Sequence, residues 1–207
     1  MELMRCSRFC DRHSFSSDCD FGSSAGFNSE DRNIDVVGRF RLSAWIFSGG
    51  ESRRMGKDKA LLAHPEGGVW LTASVETLQP LGLPIHVVTR HQSHRECLCG
   101  HPEVTVLLEP APWAGPLQAL ARVLPAVPDE AVLVLPVDMP CLTTEALQRL
   151  VEAWQDQPDR VAVAHDGHRL QPLLAVVPAG PPFQTALLAQ VQAGRYRWLE
   201  WLQRVPH

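Results

Sequence analysis

Along residues 41–207, short apolar runs alternate with stretches of helical period. Ser43–Ser48 (SAWIFS) ends in Gly49-Gly50, which predicts a buried strand with a tight turn at its end. Helical spacing predicts a helix over Leu71–Leu81, with Pro80 near its end. Ile85–Thr89 and Val104–Leu108 read as strands, separated by a short helix over His91–Cys99 that Gly100 stops. Pro116–Leu124 reads as a helix with proline at its first position. Ala131–Leu135 (AVLVL) is a wholly apolar strand, and Thr143 or Thr144 caps a helix running to about Gln155. Val161–His165 and Leu170–Val177 flank Asp166-Gly167, a hairpin signal. Phe183–Ala193 is a helix closed by Gly194. After it, Arg195–Arg204 is amphipathic, with Trp198, Leu199, Trp201 and Leu202 as its apolar face.

Strand and helix in alternation, with strands apolar on both faces, predict a mostly parallel sheet covered on both sides. The expected fold class is α/β: three layers, α/β/α, Rossmann-like. Such sheets bind ligands at the carboxyl ends of their strands. The loops after Ser48, Leu108 and Leu135 therefore become the places to look for chemistry.

Composition then divides the chain. All 17 prolines lie in 41–207, whereas residues 1–40 hold seven of the twelve serines, five of the seven phenylalanines and three of the six cysteines. The 207 residues are thus expected to form a disordered extension over 1–40 and one domain over 41–207. The extension has no apolar core for a secretory signal, and its seven acidic residues count against a transit peptide. Cys6, Cys10, His13 and Cys19 are ligand types, but their spacing matches no standard zinc module. A net charge of −4 argues against a nucleic-acid surface, and no run approaches the ~20 apolar residues of a membrane span. A cytoplasmic protein, monomeric and with reduced thiols, is the expectation.

The first loop, Gly49 to Lys59, carries three glycines and four cations, Arg53, Arg54, Lys57 and Lys59. Glycines offer bare N–H groups and the cations offer charge, so a polyphosphate fits it, with a solvated basic turn as the other reading. The spacing is neither Walker A nor G-x-G-x-x-G. In the second loop, Glu109 follows a strand end, where it is either a solvated acid or a carboxylate able to accept hydrogen bonds from a ligand. In the third, Asp138 stands between Pro136 and Pro140 at the end of an apolar strand, the hard, fixed oxygen that Mg²⁺ needs.

Ser48-Gly49-Gly50, Arg54-Met55-Gly56 and Asp58-Lys59-Ala60-Leu61-Leu62 together resemble the L-[AS]-G-G-x-x-x-R-M-G-x-D-K-x-L-L signature of nucleotidyltransferases. Within them the chain is most similar to molybdenum cofactor guanylyltransferases, and Gly115-Pro116-Leu117 and Asp138-Met139-Pro140 match further elements of that family. The resemblance implies a Mg²⁺-dependent enzyme that transfers GMP from GTP to the phosphate of molybdenum–molybdopterin, giving the guanine dinucleotide cofactor and pyrophosphate. It implies nucleotide contacts at Phe47, Ser48, Gly49, Gly50, Lys59, Glu109 and Asp138, catalytic roles for Arg54, Lys59 and Asp138, and metal binding by Asp138. His165, Arg169 and Gln171 become candidate acceptor contacts, and the product implies handover to a molybdoenzyme or its chaperone. Two departures stand out: Glu109 replaces an aspartate, and the chain stops at His207 before the family's N-x-N-x-P segment. A cytidylyl or sugar-phosphate nucleotidyltransferase, and a truncated nucleotide-binding protein without turnover, are the alternatives.

Overall fold

The computed structural model describes Val36, Val37 and residues 40–50 and 57–207, all within one unit, Asn33–His207. The extension expected at 1–40 lies outside the described residues, apart from Val36, Val37 and Phe40, as does Arg54. Among the described residues, seven strands form one sheet. In chain order they are β1 (Val36–Val37), β2 (Phe40–Phe47), β3 (Ile85–Thr89), β4 (Val104–Leu108), β5 (Glu130–Pro136), β6 (Ala162–His165) and β7 (Leu170–Pro178). The spatial order is β4-β3-β2-β5-β7-β6, with β1 on β2. The helices are α1 (Trp70–Leu78), α2 (Gln92–Cys97), α3 (Pro116–Val123), α4 (Thr144–Asp156), α5 (Phe183–Gln192) and α6 (Trp198–Leu202).

Strand alternation divides the core between the two faces of the sheet. Leu42, Ala44 and Ile46 of β2, with Leu133 and Leu135 of β5, pack under α1 and α4, where Leu71, Val75, Leu147 and Trp154 meet them. Trp45 and Val132 and Val134 point the other way, against Leu117 and Leu120 of α3, Leu187 of α5 and Trp201 of α6. Burying one such leucine stabilises the fold by about 2 kcal/mol, which is why wholly apolar strands choose the middle of the sheet. The α6 face is apolar as read, with Trp198, Trp201 and Leu202 buried, except that Leu199 is exposed. Thr143 is the α4 cap: its side chain accepts from the Ala146 N–H at 3.2 Å.

The sheet is less parallel than expected. β2, β3, β4 and β5 are parallel, whereas β7 runs antiparallel to both β5 and β6, and β1 antiparallel to β2. The Asp166-Gly167 hairpin reverses the chain, and its second strand, not its first, joins the centre. The β6–β7 register breaks between Val163 and Ala164, opposite Pro172, which has no N–H to donate. β2 begins at Phe40 and pairs back onto Val36–Val37, so the sheet starts upstream of residue 41. Among the described residues no helix is long and apolar enough to cross a membrane.

Candidate active site at the carboxyl ends of the parallel strands

Parallel register delivers the loops together. Phe47 lies beside Val88 of β3 and Pro136 of β5, and Thr89 lies beside Leu108 of β4. The chain after each strand end lines a cavity of about 440 Å³. Phe47, Ser48, Gly49 and Gly50 form one side, with Lys59 near them; Glu109, Trp113 and Gly115 form another; Val137 and Asp138 close a third. A side chain at Gly50 would meet nothing within 4 Å, so protein crowding does not require glycine there. What glycine leaves is uncovered backbone facing the cavity, as an anion site needs.

Lys59 opens a short 3-10 turn, Lys59–Leu61, that Asp58 caps through a 3.1 Å bond from the Ala60 N–H. Its Nζ donates to Asp138 Oδ2 at 2.7 Å, joining the loop after β2 to the end of β5. The neighbouring carbonyl of Val137 accepts from the Ser74 hydroxyl of α1 at 3.3 Å, so the Asp138 backbone is anchored to a helix. Among the described residues no group of three or more His, Cys, Asp or Glu could hold a metal by themselves. One hard carboxylate beside a cation suits a Mg²⁺ that arrives with phosphate oxygens and keeps its waters. On that chemistry Asp138 fits the ion.

Glu109 is mostly buried, and Arg122 of α3 donates to its Oε1 at 2.5 Å. The same guanidinium donates to the carbonyls of Pro110 at 2.9 Å and Pro112 at 2.8 Å. Burial pushes the Glu109 carboxyl above its ordinary value, and Arg122 pulls it part of the way back. One carboxylate oxygen is therefore committed within the protein, while Oε2 lies over Gly49. Arg90 stacks its guanidinium 5.0 Å from the Trp113 ring centroid, and the indole N–H donates to the Glu109 carbonyl at 2.9 Å. Arg122→Ala is expected to lower the unfolding free energy by about 2 kcal/mol in a denaturant titration, because it strands a buried carboxylate and two carbonyls. Arg122→Lys should recover only part, since a single ammonium cannot span all three acceptors.

Behind the loop sits His94, which the sequence reading passed over. Its imidazole has no exposed surface. Nε2 lies 2.7 Å from Asp58 Oδ2, and Nδ1 lies 2.7 Å from the Thr89 hydroxyl and 3.1 Å from the Ser48 hydroxyl. Burial holds its pKa below the ordinary 6.5, with Asp58 opposing the shift and His91 adding to it. Protonation therefore favours the unfolded chain. The stability tied to the neutral ring is whole above about pH 6.5 and is lost as pH falls through the lowered native value. Unfolding titrations at about pH 7.5 and about pH 5 should show this decline, and His94→Gln should flatten it. Asp166, lowered to about 2 by the N–H groups of Arg169 and His168 and by Gln171, loses its own contribution only below its ordinary 3.8.

The three candidate acceptor residues sit elsewhere. Asp166 accepts from the backbone of His168 and Arg169 and from the Gln171 side chain, and His165 Nδ1 accepts from the Gly167 N–H. Arg169 and Gln171 are thus engaged in the hairpin turn. None of the three lines the cavity, although Leu173 of the same strand does.

The domain that carries these loops is similar to known proteins. Residues 44–205 match the model of the MobA-like NTP transferase domain. A probable molybdenum cofactor guanylyltransferase of Rhodopirellula baltica is 35% identical over 139 residues, covering 64% of this chain and 66% of the relative. Another from Geobacillus sp. is 30% identical over 161 residues, covering 77% and 81%. A third from Synechococcus elongatus is 33% identical over 173 residues, covering 79% and 84%. The solved molybdopterin-guanine dinucleotide biosynthesis protein A of Archaeoglobus fulgidus superposes with a TM-score of 0.61 at 21% identity, covering 79% of this chain and 80% of that one. A nucleotidyl transferase from Methanothermobacter thermautotroptrophicus gives 0.58 at 21%, covering 84% and 85%; both likenesses are of fold. By the extent of the model match and the identity of these relatives, the chain belongs to the MobA-like NTP transferases.

Proposed function

We propose that this chain is a molybdenum cofactor guanylyltransferase. It transfers GMP from GTP to the phosphate of a molybdenum–molybdopterin cofactor, forming the guanine dinucleotide and releasing pyrophosphate. The observation that carries the reading is Lys59 set 2.7 Å from Asp138 on the rim of a strand-end cavity, in a chain whose relatives are named guanylyltransferases.

An acceptor phosphate oxygen attacks the α-phosphorus in line, and the bond to the bridging oxygen of the leaving pyrophosphate breaks. No enzyme nucleophile is needed. Charge grows on the leaving group, and the Lys59 ammonium, with Arg54 from the same signature, is the fixed cation that meets it. The backbone of Phe47, Ser48, Gly49 and Gly50 lies along the nucleotide. Asp138 would hold Mg²⁺, which when bound supplies positive charge to phosphate oxygens. Glu109, through Oε2, faces the base, and His165, Arg169 and Gln171, which lie outside the cavity, would meet only a part of the acceptor that projects beyond it. The product would pass on to a molybdoenzyme or its chaperone.

The test is to supply molybdenum–molybdopterin with GTP, CTP or ATP and MgCl₂ and to follow pyrophosphate. GTP-dependent release with formation of the guanine dinucleotide is expected. Preference for CTP would give the site to cytidylyl transfer, a reading that the Glu109–Arg122 pair favours by occupying one base-facing oxygen. Transfer only to a sugar phosphate would name a different acceptor. Nucleotide binding without pyrophosphate would make the chain a binding protein.

A further inference from the structure

His94 joins its near neighbour Thr89, at the end of β3, to two residues of the loop after β2 some forty positions upstream, Ser48 and Asp58. A buried imidazole is costly unless both nitrogens find partners, and here both do. The hydrogen-bond directions follow from the partners. A carboxylate only accepts, so Nε2–H donates to Asp58. The Thr89 oxygen already accepts the His91 N–H at 3.0 Å, so its hydroxyl proton is available to Nδ1. The other oxygen of Asp58 accepts from the Ala60 N–H and so fixes the turn that Lys59 opens. One continuous path then runs from the end of β3 through His94 and Asp58 to Lys59, and across to Asp138 in the loop after β5.

Serine, histidine and aspartate in contact also suggest a hydrolytic triad. Ser48 is only 3% exposed, so no substrate carbonyl could reach its hydroxyl. The set is a brace rather than a nucleophile.

We propose that His94 is a positioning residue that, through Asp58, sets the turn from which Lys59 reaches the polyphosphate. The proposal rests on the reading of the cavity as a nucleotide site. A glutamine amide nitrogen falls near the place of Nε2 and keeps the donor to Asp58. An asparagine amide falls near Nδ1 and keeps only the Thr89 side.

The experiment measures binding of GTP with MgCl₂ by calorimetry, with thermal unfolding as a check that each variant is folded. His94→Gln should stay within about 3-fold of the unmodified chain, and His94→Asn should weaken binding by about 10-fold or more. In a Lys59→Ala background, His94→Asn should cost almost nothing further, because its effect travels through the missing ammonium. A general loss of packing would instead act equally in both backgrounds. His94→Asn binding as tightly as the unmodified chain, or weakening it equally in both backgrounds, overturns the role of His94 and leaves the nucleotide site standing. Failure of the unmodified chain to bind GTP overturns the site itself, and the role of His94 falls with it.

Discussion

Lys59→Ala is expected to lower kcat/KM for nucleotidyl transfer by about 10²–10³-fold, the usual cost of removing one donor aimed at developing negative charge. Folding should hardly notice. Lys59 and Asp138 are 42% and 43% exposed, and ion pairs so open to water are worth at most about 1 kcal/mol. The two readouts therefore separate: pyrophosphate release collapses while the unfolding midpoint stays nearly fixed. The variant also leaves Asp138 without its cation partner, so a carboxylate would face the polyphosphate alone. Lys59→Arg should restore only part of the rate, since the planar guanidinium on a different stem does not place its charge where the ammonium stood. A folded Lys59→Ala protein turning over at the normal rate would remove this residue from the chemistry.

Asp138→Asn should be comparably severe, on the order of 10²-fold or more in kcat/KM, but with a distinct signature. Asparagine keeps the shape and can still accept from Lys59, so the loop geometry persists. It gives up the negative charge that a hard divalent ion needs. Raising MgCl₂ should therefore recover part of the Asp138→Asn loss and none of the Lys59→Ala loss. The backbone at this position is fixed by the Ser74 bond to the Val137 carbonyl and by Val137 itself, which is 7% exposed. The substitution thus tests charge rather than local order. Activity in Asp138→Asn with an unaltered Mg²⁺ dependence would show that the ion, if used, is held elsewhere.

Much of this arrangement was legible in the order of residues. Val104–Leu108 and Ile85–Thr89 are strands with the predicted ends, because turn residues bound both runs closely. β2 is longer than its apolar run, since Phe40 and Arg41 gain backbone partners on β1 and on the chain before β5, which no periodicity reveals. The insertion of β7 between β5 and β6 was likewise hidden. A hairpin signal gives two strands, and only packing decides which of them joins the centre. At the site, Lys59 and Asp138 could be named from local motifs, but not that they touch across 79 positions. Arg122 and His94 carried no local signal, because each draws its meaning from partners 13 and 36 residues away. A basic residue in the last turn of the helix beyond a loop looks like ordinary helix surface, and a histidine in a short polar helix looks the same.

The Arg122 clamp bears on how a ligand would be received. Three acceptors, Glu109 Oε1 and the carbonyls of Pro110 and Pro112, are tied to a single guanidinium rooted on α3 in the protein alone. A segment held in that way has little conformational entropy left to surrender on association. That wall of the cavity is therefore set in advance, and the free energy of any base contact made there goes into affinity rather than into ordering the loop.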